Sequence, residues 1–574
     1  MPDRARRWGS LPAMMLALAR ERGDRPMLRH WRGGAWQTVS WEGFGRSVLG
    51  VALWLRENGV GPGDRVVIVS ENRPEFLIAD VAIMAIGAVT VPTYTTNTPA
   101  DHAHVFRDSG ARVAVVANAA LAARVLAGAE EVGGLDLLIG LDGALPAPDG
   151  VRSVGWEALL EPRDDGGALL AEVQEIPGGR LACLIYTSGT GGSPKGVMLP
   201  HRAMLSNQAG VAQILGPLNL DRKRYLSFLP MSHSYEHTVG GFLLPSLGME
   251  VVYSRGADRI AAEMVEWKPA ILTTVPRLFE VLRGRITAQV EKDGGLKRRL
   301  FERALALGLR QLDGPPLGLL ERVQDAVLDR LVRDKVRARF GGAVEALVSG
   351  GARLDPELSG FFLALGLPVL QGYGQSEAGP VVSVNAPWDN DRRSVGRPLP
   401  GVEVRIAEDG EILVRGDLVM DGYWGNPDAT AAAIRDDGDG PWLHTGDVGH
   451  LAEGRIVITD RKRDFIKLVG GDMVAPSKLE SMLVGQPEIA QAVAVGEGMA
   501  GVGALLVAAE GQQDRLGEAV ARVNAKLSPI ERIRRWHALP EPFSVENGLL
   551  TPTMKVKRRQ VMERYRTAVA ALDR

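Results

Sequence analysis

A single cysteine in 574 residues rules out an internal disulfide, and Cys183 stands in the apolar run Leu181-Ala-Cys-Leu-Ile185, the setting of a buried strand thiol in a reducing compartment. Aromatic residues make up only 5% of the chain, and no apolar stretch approaches the roughly 20 residues needed to cross a bilayer. Charge of one sign is also lacking. The 67 Lys and Arg stand against 69 Asp and Glu, so no general attraction to nucleic acid is expected. A basic start and the run Leu11-Pro-Ala-Met-Met-Leu-Ala-Leu-Ala19 resemble a secretory signal, but Arg20-Glu-Arg-Gly-Asp24 follows with no small-residue cleavage site. An amphipathic first helix is the preferred reading. The expected location is cytoplasmic, or peripheral on the inner membrane face.

What is present is an ordinary globular composition, 45% hydrophobic and 24% charged, on a chain too long for one core. Short runs rich in β-branched residues alternate with helical patterns, as in Arg65-Val-Val-Ile-Val-Ser70, Ala111-Arg-Val-Ala-Val-Val116, Leu181–Tyr186, Val251-Val-Tyr253 and Ala346-Leu-Val-Ser349. That alternation predicts an α/β fold with largely parallel sheets. Between Arg392 and Asp460 the texture changes to short strands punctuated by glycine, which predicts a small antiparallel β subdomain or barrel. A dense charge run near Arg461–Asp464 marks the boundary between a large N-terminal domain, 1–462, and a smaller α+β C-terminal domain, 463–574. Residues 283–340 carry fourteen Lys and Arg against eight Asp and Glu over helical periodicity. The segment reads as a solvated helical hairpin or, more sharply, as a basic amphipathic surface for peripheral membrane contact.

The segment Tyr186-Thr-Ser-Gly-Thr-Gly-Gly-Ser-Pro-Lys-Gly-Val-Met-Leu199 follows an apolar strand and is rich in the groups that hold polyphosphate. Gly189 and Gly192 free the backbone, Thr187, Ser188, Thr190 and Ser193 offer hydroxyls, and Lys195 supplies charge. It is not a Walker loop, because Pro194 and Gly196 flank the lysine where that motif demands glycine and a hydroxyl residue. Taken alone, it could also be a flexible turn-rich surface loop.

With its Thr-Ser-Gly-Thr and Pro-Lys-Gly elements, this loop resembles that of the adenylate-forming superfamily, which includes acyl-CoA synthetases, peptide-synthetase adenylation domains and luciferases. The likeness continues in order along almost the whole chain. Gly191 stands where that family commonly has a second threonine, which removes one hydroxyl contact to pyrophosphate. Gln371-Gly-Tyr-Gly-Gln-Ser-Glu377 looks like the family's adenine and metal motif. The resemblance implies that Tyr373 stacks on the purine, that Ser376 reaches the α-phosphate, and that Glu377, together with Thr187, holds Mg2+. Gln371, Gly372 and Gly374 shape the same turn. Gly350, Gly351 and Ala352 match a loop lining the adenine and acyl pockets, where missing side chains allow close approach. Asp447, in Trp442-Leu-His-Thr-Gly-Asp447, matches the ribose-binding aspartate, and Arg461 matches an arginine that contacts ribose or phosphate. Lys555 occupies the position of the catalytic lysine of adenylation, with Lys557 as its nearest rival. His233 flanks the carboxylate pocket, either orienting the acid or serving as a satisfied structural histidine.

The resemblance implies an ATP-dependent ligase that forms an acyl-adenylate and then an acyl-CoA thioester, with ATP, Mg2+ and coenzyme A as the required small molecules. In the family the C-terminal domain swings between the two steps about the position of Arg463, and Gly470 and Gly471 then face the CoA pantetheine. The insertion at 283–340, Val474-Ala-Pro-Ser-Lys-Leu-Glu480 and Thr551-Pro-Thr553 resemble the long-chain fatty acyl-CoA synthetase branch. Two alternatives remain: an acyl-AMP ligase that delivers to a carrier protein, and a non-catalytic nucleotide-binding scaffold. Only nineteen residues follow Lys555, which favours free CoA over a fused carrier.

Overall fold

The computed structural model describes residues 8–161, 163, 166–187, 193–462, 464–551 and 554–573. Valine and isoleucine runs form its strands because branched side chains pack well on both faces of a sheet covered by helices. One sheet has eight strands in the order Gly422–Tyr423, Lys195–Pro200, Leu181–Thr187, Val89–Thr93, Arg65–Val69, Val113–Val116, Leu137–Gly140 and Arg152–Gly155. It is parallel from Leu181–Thr187 to Arg152–Gly155 and antiparallel at the two strands beside them. A nine-stranded sheet has a parallel centre made of Glu250–Tyr253, Arg224–Ser227, Ile271–Thr274, Ala346–Ser349 and Val369–Gly374. The helices Pro74–Ala85 and His201–Leu215 touch strands of both sheets and so lie between them. Cys183 is fully buried in its strand, as expected.

The first helix, Leu11–Arg22, differs from expectation: it is buried nearly all round rather than amphipathic. It packs among the helices of the body, and only Arg20 and Glu21 in its last turn are exposed. Its one buried cation is satisfied, since Arg22 donates at 2.6 Å to the carbonyls of both Pro245 and Ser246 and lies over the Trp41 ring.

The glycine-punctuated region forms a five-stranded antiparallel sheet of Glu403–Ile406, Glu411–Arg415, Ile434–Asp436, Pro441–Ala452 and Arg455–Arg461. Beyond it, residues from Ile466 onward bury cores of their own around Leu479, Leu506 and Val520, and around Leu505, Phe543 and Val561. A three-stranded sheet, Ile489–Val495, Val502–Ala508 and Ile533–Ala538, organises this smaller unit.

The basic segment is more than a hairpin. Helices Pro276–Asp293 and Gly295–Asp313 are followed by Leu319–Leu328, a π-helical turn Asp329–Arg333 and Asp334–Arg339. The break at Gly314-Pro-Pro-Leu-Gly318 follows from two prolines that lack the amide hydrogen a helix needs. Phe279, Phe301 and Phe340 anchor the segment to the nine-stranded sheet.

Candidate active site

A cleft of about 2020 Å³ opens at the carboxyl ends of the parallel strands and is bounded by the five-stranded sheet and the C-terminal unit. Crevices at this end of α/β sheets are the usual place for ligands. On one wall the strand Leu181–Thr187 delivers Thr187, and the returning strand Lys195–Pro200 begins at Lys195. Both stems are braced by the helix Pro99–Ser109, which starts in a capping box of Thr98 with Asp101 and ends at the left-handed Gly110. One turn apart on that helix, His104 Nε2 lies 2.7 Å from the Pro194 carbonyl and Asp108 accepts from the Tyr186 hydroxyl at 2.6 Å. The predicted phosphate-loop residues Ser188, Gly189, Thr190 and Gly192 lie outside the described residues, as does Gly191. Ser193 is exposed and does not line the cleft.

A second wall comes from the ends of Ala346–Ser349 and Val369–Gly374. Gly350, Gly351 and Ala352 border the cleft, as do Gln371, Gly372, Tyr373, Gly374, Ser376 and Glu377. A side chain at Gly350 would meet the Tyr235 ring at 3.1 Å, so that ring takes the space the glycine leaves. Ser376 shares a hydrogen bond of 2.7 Å with the Ser234 hydroxyl. The Glu377 carboxylate accepts from the Tyr423 hydroxyl at 2.9 Å.

Asp447 is the most firmly held of the predicted groups. It is 3% exposed, accepts from the Tyr373 hydroxyl at 2.7 Å and from Arg461 Nε at 2.9 Å, and takes its backbone setting from the Thr445 hydroxyl. These charge-assisted contacts fix both carboxylate oxygens before any ligand arrives. Sequence reasoning assigned Tyr373 and Arg461 separate ligand roles and missed that both orient Asp447.

From the opposite side, Lys555 points into the same cleft on a tight turn in which its amide donates to the Thr551 hydroxyl at 3.0 Å and Thr551 donates back to the Lys555 carbonyl at 2.7 Å. Its Cε lies 3.9 Å from the point a Gly351 side chain would occupy. The side chain is open to the water of the cleft while protein surrounds it. Burial, and then the Arg461 charge, lowers its ammonium to about 8, with Asp447 and Glu377 pulling it back up. Lys557 also borders the cleft, but Lys555 is the lysine within reach of the charges of Asp447 and Glu377. His233 lies within reach of the same charge. Burial first, and Lys555 second, drive it down to about 3, so it is neutral at physiological pH. Its Nδ1 accepts from the Tyr235 amide at 3.2 Å, which leaves Nε2 as the ring's donor. A neutral donor can orient a carboxylate; it is not poised as an acid or base near pH 7.

Not every expected residue converges. Gly470 and Gly471 sit in an exposed turn outside the cleft in this arrangement. Sequence reasoning also missed a buried group behind the cleft. The Glu236 carboxyl, fully buried, receives the hydroxyls of Tyr225, Ser227 and Thr273 at 2.6–2.9 Å, and desolvation raises it to about 7. Tyr225 and Ser227 come from the strand just before it and Thr273 from another strand, and the sequence pattern does not show that all three turn towards one carboxyl.

The AMP-binding enzyme family model matches residues 17–424, and that of the AMP-binding enzyme C-terminal domain matches residues 463–573. The chain is 34% identical to long-chain-fatty-acid–CoA ligase FadD15 of Mycobacterium tuberculosis, over 98% of this chain and 97% of the relative. It is 31% identical to the peroxisomal long chain acyl-CoA synthetase 6 of Arabidopsis thaliana, over 93% of this chain and 81% of the relative. In fold it resembles the A domain of carboxylic acid reductase from Segniliparus rugosus, solved with AMP, at a TM-score of 0.75 and 21% identity over 100% of this chain and 95% of that one. With both family models matched in order and a relative alike from end to end, the chain belongs to the AMP-binding enzymes.

Proposed function

We propose that this protein activates a fatty acid with ATP, first as an acyl-adenylate and then as the thioester of coenzyme A. The observation that carries this reading is the convergence of Lys555, from the C-terminal unit, on the same cleft as Asp447, Arg461 and Glu377. Its end-to-end likeness to long-chain-fatty-acid–CoA ligase FadD15 supports the substrate class and the CoA acceptor.

A carboxylate is a poor electrophile, so its oxygen attacks the α-phosphorus of ATP and pyrophosphate leaves. Asp447 binds the ribose hydroxyls, Lys195 and the phosphate loop hold the leaving phosphates, and Lys555 stands between two anions that must meet. A thiolate then attacks the acyl carbon; the C–S bond forms and AMP departs with the oxygen. Lys555 serves the first step, after which the C-terminal unit moves and brings Gly470 and Gly471 to the cleft. Glu377 and Thr187 offer oxygen donors of the kind magnesium prefers, and a single carboxylate suits an ion that arrives on nucleotide phosphates. Bound there, the ion would neutralise phosphate charge. Val211, Leu215, Val239, Leu244 and Ile271 give the cleft an apolar limb, where each buried methylene contributes about 0.8 kcal/mol. A panel of acids scored for AMP release with and without CoA tests the reading. Medium- and long-chain acids with CoA are expected to respond best. A response confined to short or aromatic acids contradicts the fatty-acid assignment, and turnover that needs a carrier protein replaces CoA as acceptor.

Among the described residues no helix is long and apolar enough to cross a membrane. The surface at 283–340 nevertheless fits an anionic lipid face. Leu320, Val323, Val327 and Leu331 form one stripe, 88, 65, 52 and 47% exposed. Seven of the eight acids in this segment are paired with Arg or Lys, whereas Arg299, Arg322, Arg330 and Lys335 have no carboxylate partner among the described residues. The outward charge is therefore positive beside an apolar stripe. Co-sedimentation with vesicles containing phosphatidylglycerol, lost in a Leu320→Glu/Val327→Glu variant, is expected. Equal recovery with neutral vesicles, or a dimer abolished by the same substitutions, contradicts it.

A further inference from the structure

Lys195 and Glu377 carry opposite charge in one cleft, and among the described residues no ion pair joins them. Tyr423 stands at both. Its ring lies under the Lys195 ammonium at 4.8 Å, and its hydroxyl donates to Glu377 Oε1 at 2.9 Å. The segment that carries it is stitched to both partners through the backbone. Met420 donates to the Glu377 carbonyl at 3.0 Å, Asp421 to Met198 at 3.0 Å and Trp424 to Gly196 at 2.8 Å, so one short stretch ties the carboxylate turn to the lysine's own strand. Tyr423 itself donates its amide to the Thr430 hydroxyl at 2.9 Å. Gly422, at φ +135°, allows that approach; a side chain there would meet Thr430 at 2.5 Å. The ring is thus placed by architecture on both sides.

A lysine and a carboxylate left to each other in an empty cleft form an ion pair, and the cation meant for phosphate and the carboxylate meant for metal then neutralise one another. The ring face offers the ammonium a neutral seat, and the phenol offers the carboxylate a donor other than the lysine. We infer that Tyr423 is a positioning residue that acts as a spacer, keeping Lys195 and Glu377 apart and available until the nucleotide arrives. The inference rests on the nucleotide-binding roles proposed above for those two residues.

Nucleotide binding by the full chain, measured calorimetrically with ATP in EDTA and again with magnesium, separates the two contacts. Tyr423→Leu removes the ring and lets the charges collapse. Metal-free ATP affinity is expected to fall by roughly tenfold, the scale of one charge-assisted contact. In Tyr423→Leu/Glu377→Gln there is no carboxylate to collapse on, and affinity is expected to return to that of Glu377→Gln alone. Tyr423→Phe keeps the ring, so metal-free affinity is expected to hold while the gain from magnesium shrinks a few-fold. This conservative variant retains the buried shape and reads the hydroxyl contact even if the leucine variant does not fold. A double variant as weak as Tyr423→Leu, or a Tyr423→Phe protein with an unchanged response to magnesium, overturns the spacer. A wild-type chain that binds no ATP overturns the functional reading as well, whereas normal ATP binding with Tyr423→Leu indistinguishable from wild type overturns the spacer alone.

Discussion

The two sides of the cleft are built differently. On the side of the large unit, Asp447 is nearly inaccessible and held through both oxygens by Tyr373 and Arg461. On the other side Lys555 is exposed to the cleft, and its turn is tied down mainly by Thr551. The C-terminal unit reaches the body through polar contacts such as Arg277 to the Ala490 carbonyl at 2.9 Å and Lys526 to Glu357 at 3.0 Å, with no shared hydrophobic core among the described residues. Rigid groups suit binding, because their order is established before the ligand arrives. A lightly attached group suits a single step, because it can leave. Under the proposed function, the contrast teaches that recognition and chemistry are carried by separate pieces.

The largest effect is expected from Lys555→Ala, which removes the mobile charge and leaves the fixed side intact. Acid-dependent pyrophosphate exchange should fall by about 10²–10³ while ATP affinity stays near wild type. Breaking the fixed side instead, with Asp447→Ala, leaves Arg461 and Tyr373 without their shared acceptor. ATP affinity should then drop by roughly 10–10²-fold in a binding assay, the reverse of the lysine result. The contrast also has a pH signature. Because Lys555 is lowered to about 8 and acts as the ammonium, its share of the first step is present below that pH and lost above it, by about tenfold per unit. Lys555→Arg should abolish that alkaline limb in a pH–rate profile. The smallest effect concerns the attachment. Arg277→Ala, which removes the donor to the Ala490 carbonyl, should slow adenylation by about fivefold and leave thioester formation from supplied acyl-AMP unchanged.

Much of the site was legible because its motifs are local. Thr187, Gly350, Tyr373 and Glu377 each sit at or just past the end of a strand, so an apolar run followed by glycine and a polar group locates them in sequence, and the parallel sheets then bring those ends together, while Lys195 opens the antiparallel strand that returns beside Thr187. Asp447 and Arg461 meet because they are paired across neighbouring antiparallel strands. What stayed hidden depends on distance along the chain. Tyr423 reaches Lys195 from more than two hundred positions away and His104 braces Pro194 from ninety, whereas the hydroxyls round Glu236 are nearer in sequence and are hidden because their convergence depends on the register of two strands. The first helix was misread for a related reason. Its residues do not reveal that helices will pack round it on every side, so a signal-like run became part of the core.

Separating the two half-reactions in the Lys555→Ala protein tests the central claim most directly. Given acid and ATP, the variant should form acyl-AMP at a small fraction of the wild-type rate; given preformed acyl-AMP and CoA, it should make thioester at close to the wild-type rate. Equal losses in both reactions, or loss only with CoA, would contradict the account.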